Sequence, residues 1–192
     1  MLVVPGLQLA EESLLGWFAS YAHAGGHLVL GPRTGHADQL ARVWHEPAPA
    51  RLTGVTGVTC EEYANLTADV TLRAVPGSPL ALSADAVATR WVDGLAVDDA
   101  EVLADYDHPH FGRWPAVTTR RHGAGRVTCV GTVPGRELAC ALAPGSGRPR
   151  AAAGPTCRCP SPSRAAPRRT VAACTWSTIG SGSRPSCPHR RT

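Results

Sequence analysis

The sequence predicts an α/β fold: parallel strands joined by a helix at the front, a β-hairpin towards the back, and a tail of different character. Three observations carry this. Residues 28–30 form an apolar run that climbs out of Gly25-Gly26 and ends in the tight loop Gly31-Pro32-Arg33-Thr34-Gly35. Such a run reads as a buried strand delivering a polar loop to the carboxyl edge of a sheet, where α/β folds keep their functional loops. An amphipathic segment separates this strand from the apolar residues 2–4. Near residue 144 the composition changes abruptly.

Leu2-Val3-Val4-Pro5 reads as a short strand. Residues 11–24 read as a helix, with Leu14, Phe18 and Ala22 on one face and Leu15 and Ala19 beside them. Glu11 and Glu12 suit its positive end, Ala10 falls at the expected N-cap, and Gly25-Gly26 supplies the left-handed stop. Strand, helix and strand within about 30 residues form a βαβ unit with parallel strands. Residues 51–59 read as a short helix or turn followed by a strand, and Cys60 to Tyr63 as the start of a loop. Residues 70–74 alternate weakly; 86–92 and 100–106 read as strands. Residues 117–120 and 126–130 flank His122-Gly123-Ala124-Gly125, a hairpin with a glycine turn. Gly131-Thr132 leads into a last helix over 135–142.

The charge divides the chain. All 19 basic residues are Arg; in the first 137 residues 10 Arg against 15 acids leave −5, while residues 138–192 carry 9 Arg and no acid. Residues 144–192 hold 8 of the 17 Pro and 4 of the 7 Cys, and only Val171 and Ile179 among Leu, Ile, Val, Phe and Met. A segment so poor in large aliphatic residues does not offset its ordering entropy, so residues 143–192 are expected to be a disordered Arg/Pro/Ser/Cys-rich tail, with a composition that fits a shifted reading frame. Without amphipathic spacing or interleaved aromatics, the Arg-rich tail does not argue for nucleic-acid binding. Cys60, Cys129 and Cys140 sit in apolar contexts and are expected as buried thiols, and the tail cysteines match no zinc spacing. No secretory signal and no run long enough for a bilayer are visible, which points to a cytoplasmic protein with no membrane partner.

The ordered segments resemble the middle domain of the family 42 β-galactosidases. The resemblance rests on Leu2 to Pro5, the helix ending Ala24-Gly25-Gly26, residues 28–35, Arg42-Val43-Trp44, Gly57-Val58 with Glu61-Glu62-Tyr63, residues 99–106, 115–120 and 123–132. It implies a partial flavodoxin-like parallel sheet, related to the class I glutamine amidotransferases, over residues 1–142. It also implies a trimerisation role, a homotrimeric self-partner, no cofactor, and galactoside contact only through a catalytic barrel that is not in this chain. In that family the domain opens with a further strand and helix before the equivalent of Leu2. Their loss would expose a sheet edge and an apolar face, from which an aggregating or molten species is expected rather than the clean trimer of the parent family.

Retaining glycosidases use two carboxylates about 5–5.5 Å apart; in the resembled family the acid/base glutamate follows an Asn, and no Asn-Glu pair occurs here. Glu61-Glu62 and Asp98-Asp99 read as solvated neighbours. An amidotransferase elbow would fall at residues 31–35, but it holds Pro32, Arg33 and Thr34 instead of a thiol, with His36 as the nearest base. His108-Pro109-His110 offers half a metal site, and Gly123 to Arg126 reads as a turn before a phosphate cradle. Catalytic, substrate-binding and metal residues are therefore expected to be none. Arg33 and Trp44 are the candidate interface or pocket-wall residues; the plain alternative for Arg33 is a surface pair with Asp38. Trp17, Trp44, Trp91 and Trp114 are expected in the core or an interface. The expected function is that of a β-galactosidase fragment carrying the trimerisation domain. The alternatives are a free-standing flavodoxin-like or amidotransferase-like binding module and a gene remnant without function.

Overall fold

A computed structural model describes residues 1–143, so the tail expected beyond Ala143 lies outside the described residues. The βαβ unit forms as the sequence predicts. Strand β1 (Leu2–Val4) leads to α1 (Glu12–His23), then to β2 (His27–Leu30), and β1 pairs with β2 in parallel, Leu2 opposite Leu28. The chain continues through a short helix α2 (Thr53–Thr56) to β3 (Val58–Asn65), β4 (Val70–Ala74), β5 (Val87–Val97) and β6 (Glu101–Tyr106). It closes with β7 (Pro115–His122), β8 (Gly125–Val130), β9 (Thr132–Pro134) and α3 (Arg136–Leu142).

These strands form one sheet in the order β1-β2-β8-β7-β6-β4-β5-β3, with β9 beside β5. Its parallel part is confined to β1, β2 and β8; every other pairing is antiparallel. The reason is connection length. After β2 no further long helix is available for crossovers, and strands joined by short links can only return antiparallel. The predicted hairpin is β7–β8, turning at Gly123 (φ 57°) and Ala124. Residues 60–63, expected to enter a loop, continue β3 instead, because β5 is long enough to pair along the whole segment.

Period-two alternation splits the core between the two faces of the sheet. Leu28, Leu30, Val127 and Cys129 face α1, which lays Leu15, Phe18 and Ala22 on them. Val29 and Val130 face the other way, towards Leu72, Leu103, Tyr106, Val117 and Leu138. Each fully buried large side chain contributes about 1.5–3 kcal/mol relative to exposure, so α1 is held by its inner stripe more than by its ends. Its N-cap is Glu11, which makes no side-chain capping bond. Ala10, expected at that place, is buried, and its N–H donates to Ala37 O at 3.0 Å.

Candidate functional site

Four segments meet where β2 ends. The loop from Gly31 to Gly35 leaves the sheet here, β3 and β5 bring Cys60 and Asp93 alongside, and the Ala48-Pro49 segment closes the rim. Together they line a cavity of about 30 Å³.

The loop is held by its own residues. Thr34 Oγ1 donates to Gly31 O at 2.8 Å and accepts the Leu7 N–H at 3.3 Å. The hydroxyl is thus engaged in closing the turn. Arg33 sits at φ 57°, a left-handed conformation that a side chain makes costly. Its N–H donates to Asp93 Oδ2 at 2.8 Å, and the Trp91 indole N–H donates to Asp93 Oδ1 at 2.7 Å. Asp93 is buried, and that burial raises its carboxyl above the usual range, against the lowering effect of these two donors and the Arg33 charge. Buried carboxylates are retained where such donors satisfy them.

The Arg33 guanidinium lies 4.6 Å from the Tyr63 ring centroid and 5.2 Å from that of Trp91. Those two rings stack at 5.3 Å with 13° between their planes. Arg33 therefore rests on an aromatic shelf built by neighbouring positions of β3 and β5. Its Nε is buried and has no hydrogen-bond partner among the described residues. The expected alternative, a pair with Asp38, does not form. Asp38 is instead taken by Arg42, whose backbone N–H and side chain hold its carboxyl below the usual range.

Trp44 is half-buried in the loop that follows, against the core below α1, with the Arg51 guanidinium 5.2 Å from its ring. Its indole nitrogen is buried and without a partner among the described residues. Trp44 does not line the Arg33 cavity, so the two candidates named from sequence are not brought into one pocket. The signal for Tyr63 and Asp93 was present but faint. A Trp-Val-Asp alternation puts Trp91 and Asp93 on one face of a strand, and an acid on an otherwise apolar strand marks a polar partner.

The remaining candidates have partners within the fold. Glu61 accepts from the Trp114 indole at 3.4 Å, and Glu62 pairs with Arg113 at 3.2 Å. Asp99 pairs with Arg120. His108 Nδ1 caps its own loop by accepting from His110 N and Phe111 N, at 3.1 and 3.2 Å. Among the described residues no three His, Cys, Asp or Glu side chains gather to hold a metal. The Cys60 thiol, beside Asp93, is pushed up to about 12 by burial, as is Cys129, so neither is a ready thiolate. Cys140, expected to be buried, is exposed, because α3 turns Leu138 inward. Trp17 is exposed too, stacked on Tyr21, whereas Trp114 is buried. No described helix is long and apolar enough to cross a membrane.

Comparison with known proteins agrees with this architecture. The family model of the β-galactosidase trimerisation domain matches residues 1–148. A curated β-galactosidase of Halorubrum lacusprofundi is 36% identical over 150 residues, which cover 73% of this chain and 21% of the relative. The solved β-galactosidase structure from that haloarchaeon superposes with a TM-score of 0.64 at 34% identity, over 73% of this chain and 20% of that one. The β-galactosidase of Rahnella sp. R3 shares the fold, with a TM-score of 0.69 at 23% identity over 72% of this chain and 21% of that one. This chain spans about a fifth of the length of these relatives. A βαβ start, an arginine loop at the end of β2 and a match over residues 1–148 place the chain in the β-galactosidase trimerisation-domain family of glycoside hydrolase family 42.

Proposed function

We propose that this chain acts in assembly: copies of it associate as a homotrimer. In a β-galactosidase, such a trimer would hold catalytic units that release terminal β-D-galactose. The observation that carries this reading is the trimerisation-domain match across 148 residues. Two features support an assembly role over catalysis within the described residues. The candidate nucleophile Thr34 is occupied in its own turn, and the acidic neighbours Glu62 and Asp99 are committed to arginines. Arg33 and Trp44 are the proposed interface or pocket-wall residues, each presented on a loop with a buried ring or guanidinium nitrogen that has no partner among the described residues.

Sedimentation equilibrium of the full chain tests the reading. A species of three times the 20.1 kDa chain mass is expected. A monomer at every concentration overturns it.

A further inference from the structure

The Arg33 shelf is built more elaborately than a surface arginine needs. The chain accepts a left-handed backbone at a residue with a side chain, fixes that backbone to a buried carboxylate, and lays the guanidinium on two stacked rings. Each of these steps removes freedom from the side chain before anything binds it. Yet Arg33, like Arg90, Arg121 and Arg126, makes no ion pair among the described residues, while Arg42, Arg51, Arg73, Arg113 and Arg120 each do. Its Nε is enclosed, while the residue as a whole is only half-buried. Tyr63, which forms the outer part of that shelf, is 55% exposed.

We propose that Arg33 anchors a contact between copies of this chain, its guanidinium receiving a carboxylate from the surface of a second copy. Stacking covers the face of the guanidinium and leaves its edge for donation, and a planar fork of N–H donors matches a carboxylate. Pre-organisation lowers the entropy lost on association. The charge of the chain selects the occupant. Residues 1–137 carry 15 acids against 10 Arg, so this part of a copy offers carboxylates in excess, and an arginine without an ion pair among the described residues is complementary to them. A threefold ring requires such a contact between two different patches, one on each copy. This inference rests on the assembly reading above and names one of the surfaces that carries it.

Sedimentation of the full chain with Arg33→Gly and Arg33→Lys, at low and high salt, tests the contact. Glycine adopts the φ of 57° found here without strain, so Arg33→Gly removes the guanidinium while the turn is kept; near-ultraviolet circular dichroism confirms its fold. Its association constant is expected to fall by at least about tenfold, the scale on which loss of one partner of an interfacial charge pair acts. Arg33→Lys is expected to fall between, and association of the unaltered chain is expected to weaken as salt rises. An Arg33→Gly chain that associates as the unaltered chain does, with the same salt dependence, overturns the contact and leaves the assembly reading standing. An unaltered chain that stays monomeric overturns both.

Discussion

Asp93 shows how a single buried acid organises the loop at the end of β2. Its two oxygens take the Arg33 backbone N–H and the Trp91 indole N–H, and burial raises its folded pKa above the ordinary carboxyl value of 3.8. A raised folded value means that the native state holds the proton more tightly than the unfolded chain. The stability linked to that proton is therefore complete below 3.8 and is lost as pH rises through the folded value. Asp93→Asn abolishes this titration. It also turns an amide N–H₂ towards one of the two donors and leaves that donor unpaired, at about 1–3 kcal/mol. Urea unfolding across pH is expected to show the gap between the unaltered chain and Asp93→Asn narrowing as pH rises from 3.8. A gap independent of pH contradicts the burial account. The importance of Arg33 was legible in the sequence from its loop alone. Its partners were not, because Tyr63, Trp91 and Asp93 reach it only once β3 and β5 pair across a long sequence separation.

At the scale of elements, α1 and its two flanking strands were the most legible part. Periodicity names a stripe directly and glycines mark its end. Even so, the stripe was placed slightly off. Leu14 was assigned to the inner face and is 38% exposed, whereas Leu15 is fully buried. The helix starts one residue after Glu11, without a capping side chain, so the flanking apolar positions alone had to fix its rotation on the sheet. Leu15→Ala is expected to cost about 2–5 kcal/mol, the range for truncating a buried leucine. Leu14→Ala should cost about 1 kcal/mol or less, as for an outward-facing side chain. Chemical denaturation of both variants checks the rotation; equal losses would mean that both leucines are buried. The part of β3 from Cys60 onward, and β9, were read less well, as loop and as helix approach. Neither alternates cleanly, and their pairing with β5 comes from tertiary register rather than local pattern.

For the whole molecule, what matters is which surface of the sheet is left open. The parallel part of an α/β sheet is normally covered on both faces. Here α1 covers one face of β1, β2 and β8. On the other, an apolar groove of about 220 Å³ runs between Met1, Val3, Val29, Val130, Pro134 and Leu142. β1 ends the sheet, and Val3 at its centre is 52% exposed. An unpaired edge beside an apolar patch favours association that differs in kind from an Arg33 contact: it has no fixed stoichiometry and is not weakened by salt. A charge at the centre of an edge strand is the usual way natural sheets suppress such pairing. Val3→Lys is therefore expected to reduce concentration-dependent light scattering of the full chain. Its unfolding free energy should change by only about 0.5 kcal/mol, because the replaced side chain is largely in solvent. The variant should also leave the defined oligomer and its salt dependence intact. If Val3→Lys scatters as strongly as the unaltered chain, the groove and edge are not the adhesive surface; if it also dissolves the defined oligomer, β1 belongs to the assembly interface itself.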